Sequence, residues 1–524
     1  MKKIVFIVLL LAAFMGILTF FIVPSQGGLI SSTEQQADAL TQVDPQYEES
    51  LPIQTTGMGS SGRSIIIALV MLTHVLFANL HLGGSWVAVI TESSFLKTKN
   101  EDSRRLSRSI TLFNVMLFSA GATFAVAGVV LFISLYPEFT KNLFHIYWWP
   151  FLAEAITFAL EIFFLYTYWF TWGKISNTWH QILGYGYAVV VFIQTLLINM
   201  VASGMLTPGD SITWGQSGLM PMALDLAKTW WFNGTTFRLQ FHRLFASISY
   251  FGFLLALLAM LHYRDRKGTE DRKYWDWVGS YSMGWGLFGL VIQPMLGMIY
   301  MLAIKDTQLD AFEMIMHGSR AWEMLLMVSL LSCLFLTVIT YFIDRREKIL
   351  SELENRNIHK IFKAFLIIAA LCALILVQPA WLGASNIADA NAWINPLGSM
   401  DYKYVAIFTL VIIGALTLML DWIMIGDRRN AEWGNLSVAS RLAAGMSGVF
   451  GMWIVIVMGY VRESARSPWT IYNIVPVPGG QDYPTPIPIT RIFIVWGIIT
   501  VVTLAIFWFT SKVTAHHPEK ADEV

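Results

Sequence analysis

Charge is what this chain has least of. Lys and Arg number 35 and Asp and Glu 35, together only 13% of 524 residues, so the formal net charge is zero. A balance of that kind offers no basic face to a phosphate backbone, and nucleic acid is excluded as a partner. Cysteine is nearly missing too. The two that occur, Cys333 and Cys372, fall inside apolar runs, so no disulfide framework is expected. No CxxCH occurs, which excludes covalently attached haem, and any haem must be held by side-chain ligands alone.

What remains is apolar. With 56% hydrophobic residues and a mean hydropathy of +0.57, the composition predicts an all-α polytopic membrane bundle. Residues 1–23 have a basic start followed by an apolar run and read as an uncleaved anchor, with a cleaved signal as the alternative. Residues 24–62 form a polar extracytoplasmic tether. Apolar helices are expected at about 64–90, 110–135, 149–172, 181–205, 238–263, 276–303, 320–343, 361–383, 402–425, 441–461 and 490–511. Together with the anchor they make about 12 spans, or 11 if the first is cleaved.

Lys and Arg collect in alternate loops, at 97–108, 264–273, 345–360 and 428–429. Cytoplasmic loops accumulate these residues, so both termini are expected in the cytoplasm and the loops 206–237, 304–319, 384–401 and 462–489 outside. The domain pattern is a six-helix region over 63–303, an outer loop with extra helices and a second outer loop over 304–401, a three-helix region over 402–511, and a tail over 512–524.

Ionisable residues inside hydrocarbon are costly, and they mark proton paths, ion sites or metals. The run IIIALVMLTHVLFANLHLGGSWVAVITE holds His74 and His81, seven apart on one helix face and broken after by Gly83 and Gly84. That spacing is two turns, roughly 10 Å. The plainer alternative for each is a packing histidine bonded to a neighbouring carbonyl. Glu154 and Glu161 are also seven apart, in an aromatic helix; ionised in hydrocarbon they would cost roughly 3 kcal/mol each, so a proton relay is the functional reading. FRLQFHRLFASISY sets His242 near the outer surface between Arg238 and Arg243, a pattern suited to a haem whose iron takes the imidazole and whose propionates take guanidinium groups. His317, with Met314, Met316 and Met324 as rivals, is the candidate for the opposite face of that haem. Arg466, Pro468 and Trp469 in ARSPW suit a propionate clamp. His180 is expected on the cytoplasmic side at the start of its helix, and His262, His359, His516 and His517 in solvated regions; none carries assigned chemistry.

Taken in order along the chain, these motifs resemble subunit I of the cytochrome bd-type quinol oxidases, from Gly62 to about Ile474. ALVMLTHVLF is similar to the family's first conserved helix and implies His74 as ligand of a haem in the oxygen-reducing pair. PFLAEAITFALEI resembles the helix PLAIEGLMAFFLES, with the acids at Glu154 and Glu161 one residue closer together. LQFHRLFASISY resembles KFVHTVASGY and implies His242 as low-spin haem ligand, and ARSPW resembles GRQPW. The chain departs from the family in lacking its long hydrophilic loop after the sixth helix, so quinol-site residues do not carry over. The family also places a haem-ligating glutamate in the helix before ARSPW; 441–461 holds no acid, and Glu463 matches a more distal family position. Two outcomes follow: His81 ligates a displaced second haem, or that haem is altered and oxygen reduction is weakened or lost.

The resemblance implies a haem-bearing subunit of the bacterial-type inner membrane that passes electrons from quinol to oxygen, with haem b, haem b or haem d at the oxygen site, and a second membrane subunit as partner. The alternatives are a quinol dehydrogenase donating to an external cytochrome and, from another class, a haem-free transporter.

Overall fold

The computed structural model describes residues 59–209, 212–214, 222–224, 234–266, 269, 271–316, 321–350, 356–377, 401–425, 436–466, 469–476 and 489–516. The expected anchor, most of the tether, His317 and Pro468 lie outside the described residues. Thirteen described helices follow one another: α1 Gly59–Thr98, α2 Glu101–Leu135, α3 Pro137–Ile146, α4 Trp148–Phe170, α5 Asn177–Leu206, α6 Thr236–Asp265, α7 Asp271–Thr307, α8 Leu309–Met316, α9 Ala321–Leu350, α10 Arg356–Val377, α11 Asp401–Ile425, α12 Val438–Ala465 and α13 Ile489–His516. Ten of them contain segments long and apolar enough to cross a membrane, and α10 has a shorter apolar stretch, Lys363–Val377. All eleven helices expected after the anchor are therefore present, and the protein is multi-pass.

Gly83 and Gly84, expected to break α1, lie within it. Glycine inside a helix costs about 1 kcal/mol relative to alanine, but hydrocarbon offers the backbone no other hydrogen-bond partner. Buried Leu80, Leu82 and Val87 hold that part of the helix in place. α1 ends through Lys99, whose φ of 56° is left-handed. The Asn100 side chain then accepts from the Asp102 N–H at 3.2 Å and starts α2.

Two compact units make up the chain. One consists of 29–244, 296–313 and 459–524; among the described residues it contains α1 to α5 and α13. Its core joins Leu82, Leu165, Tyr168, Tyr187 and Val191 in one cluster, and Ile67, Leu135, Tyr147, Val201 and Ile471 in another. α5 lies close against α4: a Cβ at Gly184 would sit 2.8 Å from the Tyr168 ring, so that position must be glycine. The outer loops contain short structure that periodicity does not reveal. β1 Ile212–Trp214 pairs with β2 Met222–Leu224, and β3 Trp469–Ile471 with β4 Val475–Pro476, both antiparallel. The second hairpin turns at Asn473, φ 56°, and the Tyr472 N–H fastens it to the Met205 carbonyl at 2.9 Å.

The other unit consists of 1–28, 245–295 and 314–458. In it α6 and α7 cross backbone to backbone, since a Cβ on Gly252 would lie 2.4 Å from the Gly286 nitrogen. Asp344 of α9 caps the start of α12, accepting from the Ser437 N–H at 2.9 Å and from the Ser440 hydroxyl at 2.7 Å. Outward-facing side chains in both units are large and apolar, as Trp422, Phe509 and Trp179 illustrate, which suits a surface solvated by lipid.

Candidate functional site

Of the residues singled out in sequence, His81 on α1 meets Glu161 on α4, and Glu154 stands one repeat away on the same face of α4. Their seven-residue spacings place them on facing helix sides. His81 Nε2 lies 2.5 Å from Glu161 Oε1, both buried, and the Tyr187 hydroxyl lies 2.9 Å from the same nitrogen. Seven residues before Glu161, Glu154 accepts from the Gln194 amide at 3.1 Å. The two acids thus belong to one hydrogen-bonded face, Glu154 meeting Gln194 of α5 directly and Glu161 reaching Tyr187 of α5 through His81.

His74 sits two turns before His81 on α1. Its Nδ1 is 3.0 Å from the Gly121 carbonyl of α2. A carbonyl can only accept, so Nδ1 carries the proton and Nε2 keeps its lone pair. That bond is the one the plainer alternative required, and it is also how iron-ligating histidines are held.

His242 is buried on α6, its ring nearly parallel to Tyr300 of α7 with centroids 6.3 Å apart. Room for the imidazole comes from Gly297, where a Cβ would lie 2.9 Å from His242 Cε1. The two flanking arginines diverge. Arg238 folds back onto the Gly234 carbonyl. Arg243 turns inward, donating to Asn79 Oδ1 at 3.1 Å and Asn199 Oδ1 at 2.7 Å. Asn199 in turn donates to Gln240 at 2.6 Å, and Gln240 to the Phe192 carbonyl. Among the described residues the Arg243 cation therefore hydrogen-bonds only to neutral amides. It is within electrostatic range of His74 on one side and of Arg462 on the other.

α12 runs four residues past its expected end, because nothing from Arg462 to Ala465 breaks a helix. The helix before ARSPW, read as lacking any acid, thus carries Glu463 in its last turn. Glu463 pairs with Arg462 at 2.8 Å and with Arg466. Arg466 also donates to the carbonyls of Trp469 and Thr470, each at 3.1 Å, and lies over the Phe139 ring. Its guanidinium holds the hairpin to α12, and Trp469 stands half-buried beside Tyr472. Burial, with Asp310 nearby, pushes the Tyr472 phenol up to about 12, so it stays neutral.

Three functional candidates escaped the sequence. Glu92, His180 and Tyr168 are buried together, with His180 Nδ1 2.6 Å from Glu92 Oε1 and the Tyr168 hydroxyl 2.7 Å from Glu92 Oε2. His180, expected at the cytoplasmic start of its helix without assigned chemistry, lies under Tyr168 and Trp172. His262, expected in solvent, is buried flat against Trp275. Both histidines have one cover in common, since aromatic side chains near helix ends shield residues that hydropathy alone leaves exposed.

The family model of cytochrome bd terminal oxidase subunit I matches residues 64–520. The chain belongs to that family. Among curated proteins none matches it. The structure of bd oxidase from Geobacillus thermodenitrificans is similar in fold, with a TM-score of 0.51 at 15% identity, covering 87% of this chain and 99% of that one. This bd oxidase subunit is accordingly an oxidoreductase of a multi-subunit respiratory membrane complex.

Proposed function

We propose that this bd oxidase subunit holds haem and passes electrons from membrane quinol to oxygen. The observation that carries the reading is Arg243: a half-buried cation that among the described residues hydrogen-bonds only to amides calls for an anion, because a guanidinium bonds a charged acceptor roughly twice as strongly as a neutral one. A haem propionate meets that need, and a haem-free transporter leaves it unmet. The donor set fits the same group. His74 presents Nε2, His242 has the glycine gap at 297, and Glu463 is the carboxylate on the helix where the family brings one. The propionate role moves from Arg466, which is spent on Glu463 and the hairpin, to Arg243. His317 or a nearby methionine remains the proposed opposite ligand for His242, and Trp469 a wall beside the hairpin.

Haem, when bound, supplies one-electron storage and an iron at which oxygen is reduced, with haem b or haem d as the form at that iron. This chain's own residues manage the protons. Oxygen takes up as many protons as electrons on becoming water, and Glu161, His81 and Tyr187 form a buried chain of proton-bearing groups suited to supply them. A dehydrogenase that gave its electrons to an external cytochrome would only release protons and would have no use for such a chain. With Nε2 committed to Glu161 and Tyr187, His81 serves the protons and not an iron. A reduced-minus-oxidised spectrum with haem extraction, taken beside oxygen uptake with quinol, tests the proposal: a colourless protein or one that oxidises quinol without consuming oxygen refutes it.

A further inference from the structure

The acids and phenols of α4 and α5 form a ladder with a repeat of seven. On α4 stand Glu154, Glu161 and Tyr168; on α5, running the other way, stand Gln194, Tyr187 and His180. Gln194 meets Glu154, Tyr187 reaches Glu161 through His81, and His180 meets Tyr168 through Glu92, so the rungs lie about 10 Å apart. α1 contributes the middle member of two rungs, His81 and Glu92. The rung of His180, Glu92 and Tyr168 has no part in the function proposed above. Nothing in packing demands it, since burying a carboxylate and an imidazole in hydrocarbon is costly.

Its hydrogen bonds fix its protonation. His180 Nε2 faces the Tyr168 backbone carbonyl at 3.0 Å, so Nε2 bears a hydrogen. Nδ1 and Glu92 Oε1, 2.6 Å apart, then share one proton. Whether that proton sits on nitrogen or oxygen, the pair is neutral overall. The rung lies at the end of the bundle bearing Lys97, Lys99, Arg104, Arg105 and Arg108, the side that faces the cytoplasm by charge. Polar groups lead outward from it: Ser93, next to Glu92, accepts from Gln181 at 2.9 Å and bonds the partly exposed Tyr185 hydroxyl at 3.0 Å. Inward, the Tyr168 and Tyr187 rings are stacked with centroids 6.5 Å apart. α2 lines the gap with buried Ser107, Thr111 and Asn114. The Asn114 amide lies beside the Tyr187 hydroxyl, and neither its oxygen nor its nitrogen has a well-formed hydrogen bond.

The geometry points to Glu92, His180 and Tyr168 as a proton-loading station that feeds Glu161 through Tyr187 and His81. The inference rests on the proposal that protons are consumed at the redox site. One proton enters the His180 and Glu92 pair from the basic end as one leaves Glu161 inward. Each tyrosine hydroxyl donates one proton and accepts another, so neither is left as phenolate, and no electron moves.

The test uses the whole complex in liposomes with Glu92→Gln, Glu92→Asp and Tyr168→Phe. Expected for Glu92→Gln is a fall of about 10-fold or more in kcat with KM for quinol and the visible spectrum unchanged, partial recovery in Glu92→Asp, and slower deuterium exchange at the Glu161 carboxyl, read by infrared in the resting protein. Tyr168→Phe keeps the ring and removes only the hydroxyl, so it carries the test should Glu92→Gln fail to fold. An intact spectrum with unaltered kcat and unaltered Glu161 exchange in these variants overturns the station. Should the wild type take up no protons from the basic side during quinol turnover, the functional proposal fails instead; slowed exchange in Glu92→Gln would still support the route, and unaltered exchange would sink it.

Discussion

Gly297→Ala adds one methyl group at the place where the structure leaves space for His242. The new Cβ would lie 2.9 Å from Cε1 and 3.1 Å from Nδ1 of that ring, inside normal van der Waals contact. The imidazole must move by several tenths of an ångström, and it is boxed in on another side by Tyr300. Overpacking of this kind costs about 1–3 kcal/mol, while alanine in a helix gains at most about 1 kcal/mol over glycine. The net change is unfavourable and falls on the ring proposed to ligate the low-spin haem. Gly284→Ala is the matched control. It lies in the same helix, and its Cβ would meet nothing within 4 Å, so it keeps the propensity gain without the clash. Reduced-minus-oxidised spectra of the two variants are the assay. Gly297→Ala should shift, broaden or lose the low-spin band, and Gly284→Ala should match wild type. Equal spectra from both would show that His242 does not hold that haem in the orientation argued for.

Four further outcomes follow from the site. His242→Ala should remove one low-spin absorption band while the protein still inserts, as visible spectra of membranes would show. His81→Ala should keep every haem, counted by extraction, and slow quinol turnover; loss of one haem per protein would restore the iron-ligand role that the sequence suggested. Glu161→Gln should lower kcat by about 100-fold, the lower range for a lost proton-transfer group, with the low-spin haem still reducible by quinol. Arg243→Met, which removes the charge and keeps much of the stem, should weaken haem retention on dilution or detergent washing; full haem content after washing would count against the propionate contact.

How far the sequence reached depended on the range of the interaction. The helices were legible because runs of apolar residues longer than a membrane is thick admit one backbone solution, and α1 kept that solution through Gly83 and Gly84. The pairing of Glu154 with Glu161 on one face was legible because both stand on α4. What the sequence could not supply was which helix faces which. Tyr187 and His180 gave no separate signal, since a phenol in an aromatic helix and a histidine near a helix start are ordinary. They gain meaning only when α4 and α5, joined by the short segment 171–176, run antiparallel with their seven-residue repeats in phase. The same limit produced the error at ARSPW, where ending the helix at 461 on hydropathy cut off a last turn that is charged yet continuous.

That error had a chemical consequence. With Glu463 outside the helix, the place of a missing acid had to be filled, and His81 was the spare ionisable residue of the right depth. If Glu463 inside it is the acid of that helix, as proposed above, the need disappears, and His81 is freed for the partners it touches. A buried imidazole between a carboxylate and a phenol can take a proton from one and give it to the other without a net charge remaining in hydrocarbon. An imidazole bound to iron through the same nitrogen cannot. The two roles are therefore exclusive at Nε2, and the 2.5 Å contact with Glu161 is the geometric reason for assigning His81 to the ladder that joins the basic end of the bundle to the interior.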